Sequence, residues 1–157
     1  MKFLTDAMLG RLTRLLRIFG FDTVYAEDVK PSAPDDLLLE YAIKNDRLIL
    51  TKDYPFFKRA GGQQSIFLEG NDVYNYLKQL KDKLQLVFNF DIQKARCSVC
   101  NNSLKKVEEP SLIEDQVKSE TLKHYHDFFQ CVECGKVYWK GSHIDDIIMK
   151  MQEKVGS

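Results

Sequence analysis

The first 96 residues of this 157-residue chain contain no cysteine. All four cysteines fall in the remainder, as Cys97-x-x-Cys100 and Cys131-x-x-Cys134. Paired spacing of this kind, in a chain with no secretion signal, favours metal over disulfides. Net charge is missing as well. The 23 basic and 23 acidic residues cancel, so anion binding must come from local patches. No apolar run approaches the ~18 residues that a membrane helix needs. The N-terminus leads from a single lysine into a polar, Arg-containing segment, which excludes a signal peptide reading. The expectation is a cytoplasmic protein with no membrane partner. Several catalytic signatures are also absent: a Ser-centred nucleophile elbow, a P-loop, a Rossmann glycine motif and H-E-x-x-H. There is no internal repeat and no low-complexity segment.

What is present starts with two matching stretches. Met1-Lys2-Phe3-Leu4-Thr5-Asp6 and Leu48-Ile49-Leu50-Thr51-Lys52-Asp53 each run from apolar residues through a threonine to an aspartate. A short apolar run bounded by polar residues reads as a buried parallel strand. An open parallel sheet keeps its ligand site at the carboxyl ends of its strands, so Asp6 and Asp53 are expected at one edge. A third acidic group, Asp35-Asp36, opens a helical pattern between them. Carboxylates are hard oxygen ligands suited to Mg²⁺ or Mn²⁺, and such a site can activate water against a phosphodiester. Each acid taken alone is equally well explained as a strand end or a helix cap.

The rest of the first ninety residues alternates strand and helix, which argues for a parallel sheet covered by helices. A helix is expected over 7–19, ending at Gly20, with Met8, Leu9, Leu12, Leu15, Leu16 and Phe19 on one face. Arg11, Arg14 and Arg17 are expected on the other side, either as a phosphate-contacting ridge or as a solvated face. A strand over 22–26 precedes a loop over 27–34. Helices over 35–45, 54–60 and 72–83 and strands over 47–52 and 65–68 follow. The character changes after Phe90. The domain division read from this is 1–93 for an α/β unit and 94–157 for a small unit with a helical insertion (111–127) and an amphipathic tail helix.

The cysteine spacing is the most specific signal. A C-x-x-C turn offers two thiolates to one tetrahedral Zn²⁺, and the second pair supplies the other two. Cys97, Cys100, Cys131 and Cys134 leave no open position, so the expected zinc is structural. It would provide folding energy to a unit too small to fold on burial alone. His124, His126 and His143 are ligands only if a cysteine is not used.

Together these residues resemble the Mut7-C family. The resemblance is carried by Phe3-Leu4-Thr5-Asp6-Ala7-Met8-Leu9-Gly10-Arg11-Leu12, Leu16-Arg17-x-x-Gly20-x-Asp22, Asp35-Asp36-x-Leu38-x-x-x-Ala42 and Leu48-Ile49-Leu50-Thr51-Lys52-Asp53. In the second unit, Arg96-Cys97-x-x-Cys100-Asn101 and Val137-Tyr138-Trp139-x-Gly141-Ser142-His143 carry it. The resemblance implies a PIN-like α/β ribonuclease domain followed by a zinc ribbon. It implies metal-binding acids at Asp6, Asp35 (with Asp36 beside it) and Asp53, and basic positions at Arg11 and Arg17. A fourth acid is common in PIN sites, and Glu69 and Asp72 are the positions weighed for it.

The resulting expectation is a Mg²⁺- or Mn²⁺-dependent endoribonuclease. Arg11, Arg14, Arg17 and Lys52 would contact phosphate, and Lys136, Trp139 and Lys140 would form an RNA-contacting strand in the ribbon. Base stacking by Trp139 is weighed against packing of the ribbon. RNA is the expected partner, with tRNA and the ribosome among its sources. Two alternatives stay open: an RNA-binding or ribosome-associated module with little or no cleavage, and a protein-docking ribbon. Oligomeric state is left open.

Overall fold

The computed structural model describes residues 1–156. Ser157, the last residue assigned to the second unit, lies outside the described residues. Four strands form one parallel sheet: β1 (Lys2–Thr5), β2 (Asp22–Tyr25), β3 (Leu48–Thr51) and β4 (Ser65–Phe67), in the order β2-β1-β3-β4. Between and after them come α1 (Gly10–Ile18), α2 (Ala26–Val29), α3 (Asp35–Lys44), α4 (Tyr54–Ala60) and α5 (Val73–Leu84). The expected α/β architecture with a helix-flanked parallel sheet is therefore present.

Alternation along the strands explains why both sheet faces are covered. Phe3 and Leu50 point to one side and pack with Leu12, Leu16 and Leu77 from α1 and α5. Their neighbours Leu4 and Ile49 point to the other and pack with Leu38, Ala42 and Phe56 from α3 and α4. Side chains that alternate this way bury an apolar run on both faces, the pattern of a crossover-connected sheet. Gly20 ends the first helical segment as expected. It has φ of +92°, and a Cβ there would meet the Lys94 carbonyl oxygen at 2.9 Å, so both conformation and space require glycine.

The cysteine-bearing unit has an antiparallel sheet of β5 (Leu104–Lys106), β6 (Phe129–Cys131) and β7 (Val137–Tyr138), with α6 (Ser119–His124) in the insertion. Ile113, Val117, Phe128 and Val137 form its small core. The final helix, α7 (Ser142–Lys154), falls in the 94–157 unit by sequence position. Its Ile147 and Met151, with Val155 after them, pack instead into the core shared by α1 and α5. The tail thus closes over the α/β unit. No helix of the described residues is long and apolar enough to cross a membrane.

Candidate active site

Three strand ends build the acidic cleft. β1 runs straight into Asp6, β2 into Ala26 and Glu27, and β3 into Lys52 and Asp53. Asp6, Asp35, Asp53 and Glu27 line one cleft of about 160 Å³, with Met8 and Phe56. Asp6 is the buried member and is held from three directions. Its Oδ1 accepts from the Met8 N–H at 2.9 Å. Its Oδ2 accepts from the Thr51 hydroxyl at 2.5 Å and the Lys52 N–H at 3.0 Å. Thr51 Oγ1 also accepts from the Asp53 N–H at 2.9 Å, so one threonine links the two acids across β1 and β3. Asp53 caps α4 through Phe56 N–H at 3.1 Å. These bonds orient the carboxylates before any ligand arrives.

Asp35 and Asp36 separate cleanly. Asp35 lines the cleft, whereas Asp36 turns outward into an exposed ion pair with Arg59 and takes no part in the cleft wall. Partial burial raises the Asp35 pKa, and the negative charges of Asp53, Asp36 and Asp6 add to that against the pull of Arg59. Glu69 and Asp72 lie outside the cleft. Asp72 is the N-cap of α5, accepting from Tyr74 N–H at 3.1 Å. Glu27 stands at the cleft instead, on a helical turn where the sequence indicates a loop. The strand-end rule that found Asp6 and Asp53 applies to it equally, because it lies two residues beyond β2.

The four acids do not draw together as the cysteines do. Among the described residues, the cysteines are the only group of three or more such side chains with ligand atoms within 4.8 Å of one another.

A band of cations adjoins the cleft. Arg11 and Lys52 line a cleft of about 250 Å³ that shares Met8 with the acidic one. Lys52 Nζ rests 5.4 Å from the Tyr76 ring centroid and 3.2 Å from Asn71 Oδ1. Arg11 also lines a larger cleft of about 790 Å³, together with Arg14, Lys136 and His143. Trp139 packs against Phe128 at 5.7 Å, and Lys140 pairs with Asp145 at 2.6 Å.

Arg17 requires a correction. It is not on an exposed ridge with Arg11 and Arg14; it is 3% exposed. Its Nε donates to the Thr23 carbonyl at 2.9 Å, and one terminal nitrogen donates to the carbonyls of Ser98 and Val99 at 3.0 and 3.1 Å. The other terminal nitrogen lies 3.7 Å from Asp28. Three of its five N–H donors are taken by backbone carbonyls and its charge faces Asp28, so it serves the joint rather than an exposed phosphate-contacting ridge. It fastens the first cysteine turn to α1 and β2. Asn101 completes the joint, accepting from Thr23 N–H at 3.0 Å and donating to Asp22 at 2.7 Å. Burial opposes the Asp22 charge, but Arg47 and Asn101 hold its carboxyl below the usual aspartate range. Arg17→Ala should lower stability by about 3 kcal/mol, because it leaves the carbonyls of Thr23, Ser98 and Val99 without their donor at a largely buried joint. Thermal unfolding would show this as a lower Tm.

The cysteines form a compact cluster. Cys97 and Cys134 Sγ lie 3.6 Å apart, and Cys100 and Cys131 Sγ 3.4 Å apart. A tetrahedron with metal–sulfur bonds of about 2.3 Å has edges of about 3.8 Å, so the four are spaced for one metal ion such as zinc. Backbone N–H groups of Glu133 and Cys134 each point at Cys131 Sγ from 3.4 Å, and the Tyr138 hydroxyl lies 3.0 Å from Cys97 Sγ. Burial works against ionisation of Cys100, yet hydrogen bonds from Asn102 bring it down to about 6. Cys134 is pushed up to about 12: a backbone hydrogen bond from Lys136 lowers it, but burial and the neighbouring sulfurs outweigh that.

A family model described as the Mut7-C RNAse domain matches residues 1–151. No curated protein and no solved structure gives a significant match.

Proposed function

The chain belongs to the Mut7-C RNAse domain family, and on that premise we propose that it is an endoribonuclease using Mg²⁺ or Mn²⁺ held by Asp6, Asp35 and Asp53. Membership itself suggests a ribonuclease-like function; the metal, the residues and the endonucleolytic mode are our reading. One observation carries it: acids from separate strand ends and a helix start line a single cleft, where a binder of phosphate has no reason to gather negative charge.

A hard cation bound there would neutralise phosphate charge and lower the pKa of an attacking water. The protein's own contribution is orientation. Met8 N–H, Thr51 hydroxyl and Lys52 N–H fix Asp6, and Thr51 ties it to Asp53. Arg11, Arg14 and Lys52 bind flanking phosphates as counter-charges, since the clefts they line have Met8 or Arg11 as common wall residues. Lys136, Trp139 and Lys140 extend this contact into the cysteine unit, whose four thiolates hold one structural zinc. Asp36 acts only through its pair with Arg59. A second reading, an RNA-binding module with little or no cleavage, is favoured by the acids standing outside the spacing that the cysteines reach.

Incubation of labelled RNA with Mn²⁺, with and without EDTA, tests the proposal across pH. The raised Asp35 pKa fixes the sign. A cation competes with the proton that Asp35 retains above its ordinary value of 3.8. The Mn²⁺ concentration needed for half-maximal cleavage should therefore rise as pH falls through the window above 3.8. In the absence of cation, stability should drop as pH rises through that window, since the fold binds this proton more tightly than the unfolded chain. Cleavage unaffected by EDTA would contradict the metal.

A further inference from the structure

Next to Asp53 in the chain, and outside the lining of the acidic cleft, three aromatic rings meet. Tyr54 and Phe57 are one turn apart on α4, and Phe67 ends the edge strand β4. Tyr54 lies edge-on to Phe67 at 5.3 Å, and Phe57 closes the triangle at 6.1 Å from Tyr54 and 5.8 Å from Phe67. Phe56, in the same helix, does the packing and is 2% exposed, whereas Tyr54 is 52% exposed. A large ring left in water beside a buried one is not there to fill the core.

Cations frame the triangle. Lys58 Nζ stands 5.8 Å from the Tyr54 ring centroid. Lys83 Nζ donates to the Phe67 carbonyl at 3.0 Å. Neither lysine forms an ion pair among the described residues. An exposed ring with one ammonium over it and a second at the neighbouring strand end, neither in an ion pair, matches a nucleotide, whose base is flat and whose phosphate is anionic. It suits a second copy of this chain poorly, because pairing two such faces along the β4 edge would bring their lysines together. The position matters as much as the chemistry, since Tyr54 follows Asp53 directly in the chain and consecutive Cα atoms are about 3.8 Å apart.

We propose that Tyr54, backed by Phe57 and Phe67, is a stacking platform for one unpaired RNA base next to the cleavage site. The substrate is then single-stranded at that position, because in a duplex both faces of the base are covered by its neighbours. The proposal rests on the ribonuclease reading above and adds the substrate class to it.

Fluorescence anisotropy in EDTA, which keeps cleavage out of the measurement, tests it with the full chain. The probes are a labelled oligoadenylate and a fully paired RNA duplex. Tyr54→Ala should weaken oligoadenylate binding about tenfold and leave duplex binding unchanged, while Tyr54→Trp should retain the wild-type affinity. Unchanged oligoadenylate affinity in Tyr54→Ala, an equal loss on both probes, or no oligoadenylate binding by the wild type would each overturn the platform. So would a dimer that Tyr54→Ala dissociates without affecting RNA. Because the readout is binding, a chain that binds through Tyr54 but does not cleave fails the nuclease proposal alone. A chain that cleaves but ignores Tyr54 fails the platform alone.

Discussion

Asp6→Asn should reduce RNA cleavage about a thousandfold, the larger of the effects expected on activity. Asp6 is the buried acid of the cleft and the one most tightly held. Removing its charge takes away the anchor of the cation, and metal stabilisation of charge in phosphoryl transfer is worth about 4 kcal/mol, or about three factors of ten. Asparagine also fits the local bonds badly. Two N–H donors, from Met8 and Lys52, now approach opposite ends of the side-chain head. A carboxylate accepts at both ends, whereas an amide must turn its NH₂ toward one of them. That mismatch should add about 1–3 kcal/mol of destabilisation. Initial cleavage rates and thermal unfolding read the two effects separately. A folded Asp6→Asn protein that cleaves at the wild-type rate would remove Asp6 from the site. Asp36→Asn, which breaks only an exposed pair with Arg59, is the matched control and should keep its activity.

Withdrawal of metal from the cysteines should have the largest effect on stability. Structural zinc contributes about 10–16 kcal/mol to small zinc units, comparable to the whole stability of an ordinary domain. The core of this unit rests on Ile113, Val117, Phe128 and Val137, too few to fold it unaided. The loss should not stop there. The turn at Ser98 and Val99 supplies two of the acceptors that satisfy the buried Arg17, and Asn101 holds both Thr23 and Asp22. Once that turn melts, Arg17 faces an opened joint and α1 loses its tether. Cys131→Ser, or chelation of the wild-type protein, should therefore unfold the cysteine unit and also lower the Tm of the α/β unit by about 10 °C. Calorimetry or amide exchange at β2 would detect the second effect. An α/β transition unmoved by metal loss would show that the two units are energetically independent.

The parts legible in the sequence were those set by local pattern. β1 and β3 are apolar runs that stop at a threonine and an aspartate, and the structure sets them side by side with Thr51 bonded to Asp6. Gly20 and the amphipathic faces of α1 and α5 followed from turn chemistry and helical period. What escaped was set by distant partners. Arg17 lies on the flank of the α1 stripe, and it is buried there by partners that include a cysteine turn some eighty residues later. The stripe of Ile147, Met151 and Val155 marked α7 as amphipathic but could not say which surface it would cover. Asp35 and Asp36 differ by one residue, about 100° around the helix, and only Arg59 on α4 reveals which one turns outward. Glu27 escaped because two nearby prolines, Pro31 and Pro34, suggested a loop where one helical turn forms.

The catalytic cation is proposed to sit in the cleft bounded by Asp6, Asp35 and Asp53. The most direct measurement is an anomalous difference map from crystals of the protein soaked in Mn²⁺. A Mn²⁺ peak is expected in that cleft, within coordination distance of Asp6 and at least one of Asp35 and Asp53, and absent from Asp6→Asn crystals. Mn²⁺ bound elsewhere, in a protein whose cleft stays empty and which still cleaves RNA, would contradict it.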